Sequence, residues 1–173
     1  MKKNLNTIIN IPGSKSYTNR ALILAALTKG SVILHHPLYS DDTEVMIACL
    51  RILGLRIDTL PDQIIVYDDI SVVQNIDVDL FARDSGTTIR FLLPLLCFIP
   101  GKKTIEGTPR LNERPIQPLV EALNCLGANI KSSNKNGQPP LKIISSSLQS
   151  GKEIVIDASM SSQFLSGLLM ISP

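Results

Sequence analysis

Residues 14–20 bring anion-binding side chains to what the sequence predicts to be the first turn of a helix. Lys15 and Arg20 are cations, Ser16 supplies a hydroxyl, and the run that follows, 21–27, is apolar. The amino end of a helix presents unpaired N–H groups and the positive end of its dipole, so it favours a negatively charged ligand. The pattern therefore predicts half of a clamp for a phosphate or a carboxylate.

The same stretch also fits a plainer structure. Pro-Gly-Ser ahead of an apolar run is an ordinary loop and helix cap, and on residues 12–20 alone that interpretation is favoured. A nucleotide-binding P-loop does not fit, because its glycine positions hold Ser14 and Ile9 in this chain.

Residues 84–90 repeat the combination of a polar start and an apolar helix. Gly86, Thr87 and Arg90 precede the apolar run 91–98. Cations are mildly unfavourable at the amino end of a helix, so an arginine in both starts, at positions 20 and 90, favours a functional role over a solvated side chain.

A third start holds Ser161, Ser162 and Gln163 ahead of another apolar run. The two serines also fit plain helix caps. If the three starts converge, they form one anion site. Arg114, preceded by Arg110 and predicted to lie at the start of a further helix, would add charge to it.

Other chemistry has less support in the sequence. Asp84 is the carboxylate nearest to these helix starts, and no carboxylate pair is as clearly placed. His35 and His36 fall away from the starts, so a serine nucleophile with a histidine base is not indicated. The two histidines are adjacent in sequence, so they cannot share one helical face as a metal-binding pair would.

Apolar periodicity and turn residues predict alternating helices and strands. Pro94 is expected to kink or shorten the helix that contains it. The predicted helices start at Ser14 or Ser16, at Asp41 or Asp42 as the cap, at 84–90, at 112–115 with Pro115 in the first turn, and at 161–163. The predicted strands lie at 6–11, 31–35, 57–60, 64–67, 70–73, 76–80, 104–106, around Ile130, at 141–144 and at 153–156.

The order of these elements predicts an internal repeat. A unit of helix, strand, helix and hairpin occurs twice in full and begins a third time, and Leu53-Gly54 and Leu126-Gly127 close the second helix of each full unit. Chance similarity between apolar helices is the alternative, but three similar starts and two matching closures favour a true repeat. Repeated units pack side by side, which would gather the polar helix starts at one end of an α/β (α+β) fold.

Composition limits the classes of function. The chain has 173 residues, of which 44% are apolar and 18% charged, so a sizeable core is expected. A net charge of +2 and 4% aromatic residues argue against nucleic acid. Cys49, Cys97 and Cys125 are expected to be buried free thiols in a reducing compartment. With no signal region and no membrane-length apolar run, a soluble cytoplasmic protein is expected.

Taken together, four motifs resemble those of the 3-phosphoshikimate 1-carboxyvinyltransferases, the EPSP synthases. They occur in that family's order, at 12–21, 84–90, 112–116 and 161–163. The resemblance implies the inside-out α/β barrel of enolpyruvyl transferases, with two domains of three βαβαββ units each. This chain would then hold a leading strand and crossover at 1–12 and a partial first domain at 13–173, with units of about 13–83, 84–157 and a truncated 158–173, but no second domain.

The resemblance also implies a reaction and a set of binding residues. The enolpyruvyl group of phosphoenolpyruvate would move to the 5-hydroxyl of shikimate 3-phosphate by addition and elimination, with no metal or organic cofactor and glyphosate as the expected competitor. Lys15 would be the catalytic residue and would contact both substrates. Shikimate 3-phosphate would be held by Lys15, Ser16, Arg20, Ser161, Ser162 and Gln163, and phosphoenolpyruvate by Lys15, Gly86, Thr87, Arg114 and Gln163.

Partners and departures from the family pattern complete the prediction. The expected partners are the two small substrates and the family's second domain, with no nucleic acid or membrane.

The family usually has Asn at position 84, and Asp84 would repel an anion unless it is protonated or paired. The family's acidic residues for proton transfer lie outside the matching portion, so no useful turnover is expected of this chain alone. The alternatives are a UDP-N-acetylglucosamine enolpyruvyl transferase, whose motif has Asn where this chain has Ser16, and a non-catalytic remnant or anion-binding module.

Overall fold

Helices alternate with two small sheets along the described part of the chain. The structure is a computed structural model that describes residues 11–134, 137–144 and 148–172. The α-helices are α1 (Lys15–Leu27), α2 (Asp41–Ile52), α3 (Gly86–Leu96), α4 (Pro109–Asn112), α5 (Gln117–Cys125) and α6 (Ser162–Met170). The strands are β1 (Val32–His35), β2 (Ile57–Leu60), β3 (Gln63–Val66), β4 (Val78–Phe81), β5 (Lys102–Glu106), β6 (Asn129–Ser132) and β7 (Leu141–Ile144).

The first sheet is antiparallel and has the order β1-β3-β2. β2 and β3 form the hairpin predicted around residues 61–62, with Leu60 opposite Gln63. β1 pairs with the other edge of β3, where Val32 lies opposite Val66. The sheet therefore closes the helix, strand, helix and hairpin unit that the sequence predicts.

The second sheet repeats the topology of the first and adds one strand. Its order is β4-β5-β7-β6, in which β5, β7 and β6 correspond to β1, β3 and β2. β4 pairs with β5 in parallel, and the crossover between them is α3. The sequence β4-α3-β5-α5-β6-β7 is a complete βαβαββ unit, with α4 as a short turn of helix inside it. The predicted repeat is thus confirmed in the sheet order as well as in the helix starts.

α3 is the central element of the core. Ten of its eleven residues are buried, and the exception is Arg90. A helix that is apolar on all sides needs neighbours on all sides, and α1, α2, α6 and β5 supply them. Among the described residues, every helix is too short or too polar to cross a lipid bilayer.

α6 packs closely on α3 where Pro94 of α3 lies beside Gly167 of α6. Pro94 lies inside α3 and has no N–H, so it cannot donate to the carbonyl of Arg90 four residues earlier. Gly167 of α6 sits against that carbonyl: a Cβ placed on Gly167 would lie 2.9 Å from the Arg90 oxygen and 3.3 Å from Pro94 Cγ. α3 ends at Leu96, two residues beyond the proline.

Hydroxyl side chains fix the start of each helix that reaches the predicted site. Ser14, Ser85 and Ser161 cap α1, α3 and α6, each accepting a hydrogen bond from a backbone N–H of the first turn. The start of α2 differs from the prediction, because Ser40 rather than Asp41 or Asp42 is the cap. Ser40 exchanges side-chain and backbone hydrogen bonds with Thr43, and the aspartates occupy the first turn, where the dipole favours them.

Several sequence predictions are wrong. The segment 70–73 is a 3₁₀ turn at Ile70–Val72 rather than a strand, because the Asp69 carboxylate caps it at Ser71 N. The segment 153–156 contains no strand; Val155 is 95% exposed there. Cys125 is exposed, although it is a free thiol like the other two.

The helix predicted from residues 112–115 is also wrong. α4 ends at Asn112, and α5 begins only at Gln117, with Pro118 in its first turn. Arg114 N donates back to the Leu111 carbonyl at 3.0 Å, which closes α4. Arg114 and Pro115 therefore lie in the link between two helices. The strand predicted at 6–11 falls outside the described residues, except for Ile11.

Candidate anion-binding site

The amino ends of α1, α2, α3 and α6 meet at one end of the fold. Lys15 Nζ of α1 lies 2.8 Å from Asp42 Oδ2 of α2. Thr88 Oγ1 of α3 donates to the Asp42 carbonyl at 3.2 Å. Gln163 Nε2 of α6 donates to Thr87 Oγ1 of α3 at 3.2 Å. Side chains from all four first turns therefore interlock, as the convergence of helix starts requires.

The start of α1 is held by a close backbone contact. A Cβ on Gly13 would lie 2.5 Å from the His36 carbonyl oxygen, so the turn before α1 accepts no larger residue without movement. Thr18 Oγ1 accepts a hydrogen bond from Leu38 N at 3.0 Å. These contacts fix the direction of the α1 axis and keep Ser16 exposed at its tip.

Arg20 crosses from α1 to α6. Its Nη2 donates to Ser166 Oγ at 3.2 Å, and its guanidinium carbon stands 5.1 Å from the centre of the Phe91 ring of α3. A guanidinium over an aromatic face gains a cation–π attraction while its edge stays available for a ligand. Ser166 is a site neighbour that the sequence motifs did not indicate.

Gly86 brings two arginines close together at the start of α3. A Cβ on Gly86 would stand 3.0 Å from Arg114 Nη1 and 3.3 Å from Arg90 Nη1. Both guanidiniums thus lie over the first turn of α3, where the dipole is positive. Gly86 is the residue that leaves room for them.

Arg90 is the best-anchored cation of the site. Nη1 donates to Gln163 Oε1 at 2.8 Å and Nη2 to the Pro115 carbonyl at 3.1 Å. Its guanidinium carbon lies 5.3 Å from the centre of the Phe164 ring. Burial first, and then the charge of Arg114, lower the pKa of the Arg90 guanidinium.

The serines at the start of α6 divide into two roles. Ser161 Oγ accepts the Gln163 N–H at 3.2 Å, so it acts as the helix cap. Ser162 is exposed, and its carbonyl accepts a hydrogen bond from Ser166 Oγ at 3.1 Å. Both lie in the same first turn as Gln163, which the structure brings to α3.

Carboxylates are scarce among these cations. Within residues 11–134, 137–144 and 148–172, Asp42 is the one acidic side chain that forms an ion pair with a cation of the site. Asp84 is instead hydrogen-bonded by Thr108 Oγ1 at 2.5 Å, at the cap of α4. Sequence reasoning missed Asp42, because it was interpreted only as a cap. An anion placed between Arg20, Arg90 and Arg114 would thus meet excess positive charge.

The described residues contain no cluster of three His, Cys, Asp or Glu side chains that could hold a metal ion. A groove of about 430 Å³ lies beside α6, and its lining is mostly apolar, with Phe98, Leu165 and Leu169 among its residues. No residue named above as part of the anion-binding site lines this groove.

These features define an α/β protein of repeated βαβαββ units whose helix starts form a cationic site. The chain belongs to the family of EPSP synthase (3-phosphoshikimate 1-carboxyvinyltransferase), whose family model matches residues 1–173. The suspected resemblance is therefore confirmed.

Named relatives agree with the family match. The 3-phosphoshikimate 1-carboxyvinyltransferase of Bordetella pertussis is 39% identical over 165 residues, which cover 95% of this chain and 37% of that protein. The enzyme of the same name from Opitutus terrae is 43% identical over 169 residues, covering 95% of this chain and 39% of that protein.

A solved structure supports the fold. EPSP synthase from Acinetobacter baumannii superposes with a TM-score of 0.85 at 23% identity, and the match covers 94% of this chain and 37% of that one. The chain thus spans well under half the length of the proteins it matches.

Proposed function

We propose that this chain carries part of a site that transfers the enolpyruvyl group of phosphoenolpyruvate to the 5-hydroxyl of shikimate 3-phosphate, with release of phosphate. The observation that carries the proposal is the convergence of Lys15, Arg20 and Arg114 on helix starts with Asp42 as the one described ion-pair partner. Both substrates are anions that carry a phosphate group. Family membership and the names of the relatives support the same reaction.

The shikimate 3-phosphate half of the site is assigned to α1 and α6. Lys15, Ser16 and Arg20 line the first turns of α1, and the Arg20 contact with Ser166 brings them beside α6. The hydroxyls of Ser161 and Ser162 and the Ser162 N–H are then assigned to a phosphate at the positive end of the α6 dipole. Gln163 lies at the boundary of the two halves, because its amide already reaches α3.

The phosphoenolpyruvate half is assigned to α3 and the link between α4 and α5. Gly86 and Thr87 offer the first-turn N–H groups of α3, and Arg114 lies over them. Lys15 serves both halves as the catalytic residue. Its ammonium has three donors, of which one faces Asp42, so two remain for substrate oxygens.

A half-site gives binding without turnover. The chain covers 37% of the length of the Bordetella pertussis relative. Addition of the hydroxyl to phosphoenolpyruvate and elimination of phosphate both require proton transfer. We propose no residue of this chain for that step. We propose that residues 13–173 form part of one domain, in which the second βαβαββ unit begins at β4, and that a second domain supplies the remaining groups.

Calorimetry with shikimate 3-phosphate tests the proposal. The 173-residue chain is expected to bind it, and the Lys15→Met variant to bind it roughly tenfold more weakly, because a charge-assisted contact is lost. Lys29→Met is the matched control, since Lys29 is exposed and follows the opposite end of α1. An affinity that is absent in the unmodified chain, or equal in both variants, would contradict the proposal and favour a non-catalytic remnant.

A phosphate-release assay separates binding from catalysis. With both substrates present, the isolated chain is expected to release no phosphate above background. Normal turnover by this chain would refute the half-site proposal while leaving the substrate assignment in place.

We also propose a cytoplasmic location. The support is chemical: all three cysteines are unpaired, and Cys125 is exposed, where an oxidising compartment would attack it. Fractionation followed by thiol labelling tests it, and recovery of the chain with Cys125 oxidised in an exported fraction would overturn it.

A further inference from the structure

Arg90 differs from the other cations of the site because protein groups already engage its guanidinium. The Pro115 carbonyl accepts from Nη2, and the Phe164 ring lies 5.3 Å away, so two elements fix the plane of the group. Arginine presents its donors as a rigid planar fork, so fixing one edge fixes the direction of the others. The fixed plane of the guanidinium points Nη1 at Gln163, where it donates to Oε1 at 2.8 Å.

The contact with Arg90 decides which way the Gln163 amide faces. Arginine only donates, so Oε1 must be the atom next to it, and Nε2 must point the other way. Nε2 donates one hydrogen to Thr87 Oγ1 at 3.2 Å, which leaves its second N–H for another acceptor. In the opposite orientation the amide would present its carbonyl oxygen, which repels an anion.

The backbone of Arg90 also holds α6. Its carbonyl, which Pro94 cannot reach with an N–H, faces Gly167, where an added Cβ would lie 2.9 Å from the carbonyl oxygen. The side chain of Arg90 thus contacts Gln163 in the first turn of α6, and its backbone carbonyl lies beside Gly167 in the second. Arg90 Nε is buried with no hydrogen-bond partner. Such an unpaired buried group is unfavourable, whereas both Nη atoms have acceptors.

We propose that Arg90 is a positioning residue, which orients the Gln163 amide so that an N–H rather than a carbonyl faces bound phosphoenolpyruvate. The inference rests on the proposed function. Arg90 acts through Gln163, and no direct contact between Arg90 and the ligand is required.

Arg90→Lys tests this geometry because it keeps the charge and loses the fork. Lysine cannot reach Pro115 and Gln163 with two fixed donors, so the affinity for phosphoenolpyruvate should fall roughly tenfold in calorimetry of the 173-residue chain. Arg51→Lys is the matched control. Arg51 also bridges a helix to a neighbouring element, through Nε and Nη2 to the Ile57 carbonyl at 3.0 and 2.6 Å. That control should leave the affinity within a factor of two.

A double-mutant cycle separates positioning from a general structural role. In the Gln163→Met background, Arg90→Lys should change phosphoenolpyruvate affinity by less than about twofold, because its target is gone. An equal factor in both backgrounds would mean that Arg90 acts on the ligand directly, and the inference would be overturned.

A ligand-free readout keeps the inference testable if the proposed function fails. The side-chain NH₂ signals of Gln163, assigned by their loss in Gln163→Met, should move toward free-glutamine positions in Arg90→Lys and stay in place in Arg51→Lys. Unchanged signals in Arg90→Lys overturn the inference. Failure of the unmodified chain to bind either substrate, with the signals shifted as expected, contradicts the proposed function alone.

Discussion

The two ends of α3 hold cations for opposite reasons. Beyond its carboxyl end, Lys103 of β5 is 1% exposed and donates to the carbonyls of Ile99 and Gly101, the latter at 2.9 Å. At its amino end, Arg90 and Arg114 crowd over Gly86. A cation near a helix carboxyl end is favoured by the dipole, whereas a cation at the amino end is opposed by it.

The difference indicates which charges serve the fold and which serve a ligand. Burial lowers the pKa of Lys103, but its ammonium donates to the backbone oxygens of Ile99 and Gly101. Arg114 has no carboxylate within ion-pair distance among the described residues, and it lowers the pKa of Arg90. A cation that is opposed by both the helix dipole and a neighbouring cation is typical of a site that binds an anion.

The largest expected effect is on stability, at the Lys103 end. Lys103→Met removes two charge-assisted hydrogen bonds, one of them to the carbonyl of buried Ile99, so the free energy of unfolding should fall by about 3 kcal/mol. Urea denaturation of the two chains measures it. Lys102→Met is the control, because Lys102 is exposed on the same strand. A Lys103→Met chain as stable as the unmodified one would show that the buried ammonium is not needed to satisfy those carbonyls.

The next effect is on binding, at the arginine end. Arg114→Met should weaken phosphoenolpyruvate binding roughly thirtyfold, equivalent to ~2 kcal/mol, because a charge-assisted contact is lost. The free energy of unfolding should stay level or rise, since a like charge beside Arg90 is removed. Calorimetry and urea denaturation are read together. If Arg114→Met lost as much stability as Lys103→Met, the arginine end of α3 would serve the fold as the lysine end does.

A smaller effect should follow from filling the space over α3. Gly86→Ala places a Cβ 3.0 Å from Arg114 Nη1, so the guanidinium must shift by a few tenths of an ångström. Phosphoenolpyruvate affinity should fall by roughly fivefold, or ~1 kcal/mol. In the Arg114→Met background the same change should have little effect, because the displaced group is absent. A full fivefold loss in that background would assign the effect to the helix start itself.

The sequence predicted the helix starts better than their connections. Periodicity and polar residues placed the starts of these helices at Ser14 or Ser16, within 84–90 and at 161–163, and the structure has their caps at Ser14, Ser85 and Ser161. A cap is a local interaction between a side chain and its own first turn, so a short sequence pattern carries most of the information. The 112–115 helix start was wrong because proline is equally at home in a link and in a first turn, and Pro118 took the helical position.

The site residues that sequence reasoning missed depend on contacts between distant elements. Asp42 belongs to the site only because α2 lies beside α1, where Lys15 reaches it. Ser166 belongs to it only because Gly167 allows α6 to approach α3, which brings Arg20 within 3.2 Å. No spacing rule within one helix contains this information, since it arises when apolar faces pack.

The smallest effect is expected at an ion pair that lies at neither end of α3 and whose arginine, Arg56, is exposed. Arg56 meets Asp68 through Nε and Nη2, each at 2.9 Å, and the pKa of Asp68 is lowered chiefly by those side-chain hydrogen bonds and then by the Arg56 backbone N–H. A carboxyl whose folded pKa lies below its usual 3.8 adds stability above that value and loses it as pH falls toward the folded pKa. Asp68→Asn should therefore be slightly less stable than the unmodified chain at neutral pH, and the difference should shrink below about pH 4. Urea denaturation at pH 7 and pH 3 measures it. A difference that grows on acidification would reverse the sign, and one as large as that of Lys103→Met would mean that exposure does not weaken a paired charge.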